Sequence, residues 1–201
     1  MAGPTIRIGR FIGLVRRVVR NALIDLRFGQ PLAAVYLRDR SQSNSDYAEL
    51  EQLFEGRIGP HDVCVDVGCG AGRVINQWLR MGGDRTIFGL ELDPGLAATT
   101  RRRLRRRCNV TIVTGDAASN LPPDGTIFFL FNPFDESATR RFAEAILELA
   151  SRVDRDLSVV YLNCKHVSAF VDHPRFDVQT DRLRVGSSFG QSFATIAVSA
   201  R

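Results

Sequence analysis

Residues 65–73 read Val-Asp-Val-Gly-Cys-Gly-Ala-Gly-Arg. One carboxylate, Asp66, stands two places before the first of three alternating glycines. Glycines at such a turn let a ligand approach the backbone closely. The apolar run Val63-Cys64-Val65 before them suits a buried parallel strand, and Arg73 to Arg80 has helical character. Strand, glycine turn and helix make the nucleotide-binding corner of a doubly wound α/β sheet. The spacing selects the ligand. A dinucleotide fingerprint is G-x-G-x-x-G, whereas Gly68, Gly70 and Gly72 make G-x-G-x-G and Arg73 occupies the place of the third fingerprint glycine. Asp66 at the mouth of the turn repels a pyrophosphate and suits a cation.

The pattern D-x-G-x-G resembles motif I of class I S-adenosylmethionine-dependent methyltransferases, whose cofactor carries a sulfonium and an ammonium. Further segments extend the resemblance to most of the chain: Asn-Ser-Asp-Tyr (44–47), Gly-Leu-Glu-Leu-Asp-Pro (89–94), Gly-Thr-Ile-Phe-Phe-Leu-Phe-Asn-Pro-Phe-Asp (125–135) and Tyr-Leu-Asn-Cys (161–164). Together they look like a group of small bacterial methyltransferases. The resemblance implies cofactor contacts from Asp66, Gly68, Cys69 and Gly70. Glu91 ends a second strand about 20 positions past the glycine loop, where a ribose-binding carboxylate belongs, with Leu92 beside it. Asp116 and Ala117 follow a third strand, at the family's adenine position; Asp116 also reads as a helix N-cap. Asn132-Pro133-Phe134 ends a fourth strand at the family's motif IV position, beside the transferable methyl group.

Methyl transfer needs alignment and exclusion of water more than it needs acid–base chemistry, because the donor is already activated. Asn132 is expected both to touch the cofactor and to accept a hydrogen bond from the methyl acceptor, and Phe134 to supply an apolar wall. Tyr47 is expected to fold over the cofactor. These three are the catalytic candidates. His166 is the one imidazole placed to act as a base, and Tyr161 and Asn163 lie on the same crevice side. Related enzymes that methylate nucleic acid bases or protein amides carry Asn-Pro-Pro-Tyr or similar, so Asn-Pro-Phe argues against those substrates. The expected function is transfer of a methyl group from S-adenosylmethionine, leaving S-adenosylhomocysteine, to N or O of a small molecule, lipid-linked metabolite or protein side chain. A non-catalytic S-adenosylmethionine-binding module and an RNA methyltransferase remain as alternatives. The presence of every motif favours the enzyme.

The elements that must position these residues follow from the pattern. Five strands end near residues 65, 90, 113, 131 and 162 and alternate with helices. Residues 176–185 and 192–198 close the chain as an antiparallel pair around the turn Gly186–Gly190. The resemblance implies a Rossmann-like, doubly wound seven-stranded sheet of order 3-2-1-4-5-7-6 with strand 7 antiparallel, which these elements fit. Two regions are expected: a basic amphipathic helix and linker over 1–43, and the methyltransferase domain over 44–201. The Ser-, Asn- and Gln-rich stretch 29–44 reads as mobile.

Charge sits at one end. The first 30 residues hold arginines 7, 10, 16, 17, 20 and 27 against the single acid Asp25, which accounts for the whole formal net charge of +5. Ile8, Phe11, Ile12, Val15, Val19, Leu23 and Leu26 recur at steps of three and four. This helix, spanning about residues 5–28, has three readings: packing on the domain or a second subunit, lying on an anionic membrane surface, and, least favoured, nucleic-acid binding. A second run, Arg101 to Arg107, reads as a solvated helix face on the flank of the sheet, without the aromatic residues that single-strand stacking uses. Four cysteines form no C-x-x-C pair, and cysteines and three histidines lack ligand spacing, so neither disulfides nor a metal site is expected. No run of about 18 apolar residues exists to span a bilayer, and no secretory signal is evident. The expected location is the cytoplasm, with peripheral membrane contact as an option. Arginine usage, with Lys165 the single lysine, points to a bacterial source.

Overall fold

A computed structural model describes residues 4–30, 45–186 and 190–200, with only the helical backbone for 4–11. Most of the stretch 29–44 and the tip of the 186–190 turn lie outside the described residues.

Seven strands form one sheet in the order β3-β2-β1-β4-β5-β7-β6. They are β1 (Cys64–Val67), β2 (Ile87–Glu91), β3 (Val110–Thr114), β4 (Ile127–Phe131), β5 (Leu157–Leu162), β6 (Phe176–Arg182) and β7 (Ser192–Val198). The first five pair in parallel, and β7 runs antiparallel to both β5 and β6. This is the expected Rossmann-like order. The central strands β1 and β4 are buried on both faces and apolar apart from Asp66, because helices cover both sides of a parallel sheet.

Alternation along the strands sorts the core into two layers. Val65, Val67, Phe128, Leu130, Val159 and Tyr161 face helices α5 (Glu136–Val153) and α6 (Ser168–Val171), through Phe142, Ile146, Leu149 and Phe170. On the opposite face, Cys64, Phe129, Val160 and Leu162 meet α2 (Tyr47–Phe54), α3 (Arg73–Arg80) and α4 (Pro94–Leu104), through Leu50, Phe54, Trp78 and Ala97. Helix α2 is absent from the sequence reading. Its signal was present: Asp46 and Glu49 form a reciprocal capping box at its N-terminus.

The N-terminal helix α1 (Pro4–Arg27) is not a detached element. Its last turns dock on the domain through polar groups. Asp25, wholly buried, accepts from Arg73 and from the hydroxyl of Tyr47. Asn21 accepts from the Tyr47 backbone N–H, and Arg17 pairs with the buried Asp46 at 3.2 Å. Arg103 donates to the Phe28 carbonyl at 2.9 Å, to Asn76 Oδ1 at 2.9 Å and to the Ala71 carbonyl at 2.7 Å. The expected boundary near residue 43 therefore separates two parts that share a buried polar network. The solvated-face reading of 101–107 is also revised. Arg103 ties α1 to the glycine loop, and Arg101 donates to the Ile112 carbonyl on β3. Arg101, for all its bond to β3, is exposed together with Arg102, Arg105, Arg106 and Arg107, so of the six only Arg103 is drawn in from the solvated face.

Candidate functional site

The carboxyl ends of β1, β2, β3, β4 and β5 open into a cavity of about 570 Å³, within the range of small-molecule sites. Its wall includes the candidates Asp66, Gly68, Cys69, Gly70, Glu91, Leu92, Asp116, Ala117, Asn132 and Phe134. Tyr47 lies outside it, as do His166 and Tyr161.

The floor is the turn after β1. Gly68 has φ +75°, and a Cβ there would stand 3.0 Å from the Pro133 ring, so only glycine lets the turn lie against the end of β4. Gly70 has φ +52°, and a Cβ there would meet nothing within 4 Å. That open space is the backbone's own approach to the cavity. The turn is held from below: Gly68 and Cys69 N–H donate to the Leu90 carbonyl at 2.9 Å, and Thr100 Oγ1 donates to the Gly70 carbonyl at 2.8 Å.

Two carboxylates stand at this floor. Glu91 Oε2 accepts from the Gly70 N–H at 2.8 Å and Oε1 from the Asp93 N–H at 2.9 Å, so its position is fixed while it keeps lone pairs for a ligand. Asp66 is 3% exposed, and its Oδ2 has no hydrogen-bond partner. Burial, and secondly the charge of Glu91, hold the Asp66 carboxyl well above the usual aspartate range. A cation arriving in the cavity relieves both effects. Burial likewise pushes the Cys69 thiol well up, with the two carboxylates adding to it, so it stays a neutral wall atom.

Asp116 caps the short 3₁₀ turn Ala117–Ser119 by accepting from the Ala118 N–H at 3.2 Å, and it is exposed at the cavity rim. The N-cap reading and the rim position hold together. Leu92, 72% exposed, lies over the far rim.

The opposite wall is built by two asparagines at the ends of adjacent strands. Asn132 follows β4 with φ 42° and Asn163 follows β5 with φ 53°. Left-handed conformations are uncommon for residues other than glycine, and asparagine accepts them best. The Tyr161 hydroxyl donates to Asn132 Oδ1 at 2.8 Å. One lone pair of that oxygen is thus already engaged, and the amide N–H₂ is the other polar face Asn132 can turn to a ligand. Burial raises the Tyr161 hydroxyl above its ordinary value, so it remains a donor.

The expectation for Tyr47 is corrected. Its side chain is fully buried, its hydroxyl donates to Asp25 at 2.8 Å and accepts from Asn76 Nδ2 at 3.2 Å, and burial together with Asp25 raises its pKa. It is a strut beneath the site, not a cover over it. Ser45, two residues earlier, reaches the wall instead. His166 is also not part of the wall, whereas Asn163 and Lys165 are. Ser45, Arg73 and Lys165 were not singled out as site residues in the sequence. Arg73 had a signal in its place directly after the third glycine. Lys165, the single lysine, had none beyond its position after β5.

A methyltransferase-domain family matches residues 64–156. Curated protein sequences give no significant match. Among solved structures, the chain is similar to an RNA methyltransferase from Salinibacter ruber in complex with S-adenosyl-L-homocysteine (TM-score 0.60, 17% identity, 79% of this chain and 95% of that one). It is also similar to a precorrin-6y C5,15-methyltransferase from Geobacter metallireducens (TM-score 0.60, 18% identity, 80% and 92%). A third similar structure is an O-methyltransferase from Bacillus cereus in complex with S-adenosyl-L-homocysteine (TM-score 0.58, 13% identity, 92% and 91%). At such identities the likeness is one of fold.

Proposed function

We propose that the chain is a class I S-adenosylmethionine-dependent methyltransferase whose cavity binds the cofactor through Asp66 and Glu91 and presents the methyl group to an N or O acceptor beside Asn132 and Phe134. The observation that carries this reading is Asp66: a buried carboxylate with an unpartnered oxygen in the cavity wall, next to a second carboxylate. Such a floor repels phosphate and fits a ligand with positive charge and hydroxyl groups. The open approach at Gly70 leaves room for it.

S-adenosylmethionine supplies a methyl group already activated on a sulfonium when bound. The chain's residues then bind and align. Asp66 takes up the cofactor's positive charge, with the Gly68–Gly70 backbone and Cys69 lining the same end. Glu91, fixed by two backbone N–H groups, accepts from the ribose hydroxyls. Asp116, Ala117 and Leu92 border the adenine. Asn132 orients the acceptor, its amide held in place by Tyr161. Phe134, packed on Phe142 with ring centroids 5.7 Å apart, keeps that end apolar. This is catalysis by positioning, which can supply about 7–11 kcal/mol of a bimolecular barrier. Tyr161, kept protonated, positions Asn132 and does not serve as a base.

Residues 5–28 are further proposed to contact either an anionic membrane surface or a second copy of the chain, while the loss of Arg101 and Arg103 to internal bonds weakens the case for nucleic acid. The test of the function is transfer of labelled methyl from S-adenosylmethionine to a lysate of a strain lacking this protein, fractionated into lipid, protein, RNA and small molecules. Label entering one fraction names the acceptor class. Cofactor binding without label in any fraction would favour the non-catalytic module.

A further inference from the structure

Helix α1 is inverted relative to an ordinary surface helix. At about 100° per residue, Arg17, Asn21, Asp25 and Phe28 fall on one face. Those positions touch the domain through Asp46, Tyr47, Arg73 and Arg103, with Arg20 reaching Glu51 and Ile24 packing on the core beside them. Ile12, Val15, Val19, Leu23 and Leu26 fall on the face roughly opposite, and they are 44 to 62% exposed. A helix on a globular domain normally buries its apolar stripe and wets its polar one. Here the polar face is spent on docking and the apolar face points away.

We infer that this outward face is a docking surface for an anionic lipid bilayer. The charge pattern selects that occupant over a second copy. Arg16 and Arg27 are exposed along one border of the stripe. The only acid of the segment, Asp25, is buried on the other face against Arg73. Two copies paired through this helix would bring arginine borders together with no carboxylate of the helix to meet them. An anionic headgroup layer meets arginines and apolar side chains at once, the combination that holds amphipathic helices in an interface. Among the described residues no helix is long and apolar enough to cross a membrane, so the helix lies on the surface. The polar face, which on a free interfacial helix would face water, is covered by the domain. Because Asp25 grips Arg73, a wall residue of the cavity, the helix is a mount that holds the site at the lipid surface. This inference does not rest on the cofactor reading.

The experiment is co-sedimentation of the full chain with phosphatidylcholine vesicles, with and without phosphatidylglycerol, in parallel with sedimentation velocity without lipid. The expected result is binding to the mixed vesicles only, weakened by added salt. Leu23→Asp and Val19→Asp, at positions outside the core, should each lower vesicle binding at least about tenfold while leaving thermal stability and S-adenosylhomocysteine affinity unchanged. Calorimetry with that ligand is read separately, so a failure of the cofactor reading leaves the vesicle result standing. A full chain that stays in the supernatant with anionic vesicles overturns the inference. So does vesicle binding that both variants retain. A dimer that Leu23→Asp splits, without vesicle binding, assigns the face to a second copy instead.

Discussion

Arg73, the first residue of α3 after the glycine loop, closes its guanidinium on the carboxylate of Asp25, 48 positions earlier, with Nη2 2.5 Å from Oδ2 and Nε 3.3 Å from Oδ1. Both side chains are withdrawn from solvent, at 7% and 0% exposure. A buried pair of this kind is weak evidence for stability in itself, but removing one partner strands a charge at a cost of about 3–5 kcal/mol. Deleting residues 1–28 should therefore destabilise the domain by at least that amount. Asp25→Ala should do nearly the same, and Asp25→Leu with Arg73→Met should recover much of the loss. Urea unfolding followed by circular dichroism checks this. A truncated chain with an unchanged midpoint would mean that α1 is dispensable to the fold.

Asp66 is expected to trade stability for binding. Its folded-state pKa is raised by burial and then by Glu91. For an acid so shifted, the favourable contribution is complete below the unfolded value, about 3.9, and is lost as pH rises through the folded value. At neutral pH without ligand, Asp66→Asn should melt higher than the parent, and the difference should vanish in acid. The same substitution should weaken S-adenosylmethionine binding. In the parent, binding to the ionised carboxylate should release a proton and lose strength as pH falls through the raised value. Calorimetry in buffers of different ionisation enthalpy reads that proton directly. Equal affinities for parent and variant would remove Asp66 from the site.

Glu91→Ala should weaken cofactor binding by about 1.5–3 kcal/mol, the range for charge-assisted hydrogen bonds. It also frees the Gly70 and Asp93 N–H groups, so a small drop in melting temperature should accompany the loss. Glu91→Gln should fall between, because its amide keeps one acceptor and turns an N–H₂ toward the other backbone donor. An alanine variant of unchanged affinity would place the ribose elsewhere.

Ligand selectivity follows from the same floor. S-adenosylmethionine and S-adenosylhomocysteine should bind, and NAD far more weakly, because two carboxylates border the loop where a dinucleotide brings its pyrophosphate. Titration calorimetry with all three decides it. Tight NAD binding alone would sink the reading.

The sequence by itself determined the frame of this protein. Val63 to Arg73, Glu91, Asp116 and the Asn-Pro-Phe turn announced the alternation of strands with helices and the strand ends where a ligand sits, and the family resemblance supplied the strand order. Those signals are local: a period-two apolar run, glycines at a turn and a carboxylate at a strand end each report on their own few residues. The candidates that proved to line the cavity all lie at strand ends, where topology alone carries them to one crevice. What only the tertiary structure decided depends on which distant groups share a buried space. Tyr47 read as a cover because its distance from the first strand says nothing of direction. In the fold it is pinned beneath the loop by Asp25 and Asn76. Arg103 read as a solvated charge because six arginines within seven residues look alike, and only packing against the carbonyls of Phe28 and Ala71 sets it apart. The periodicity of α1 revealed an apolar stripe correctly but could not say which face meets the domain. That was settled by the polar groups of its last turns, above all Asp25, buried between the Arg73 guanidinium and the Tyr47 hydroxyl.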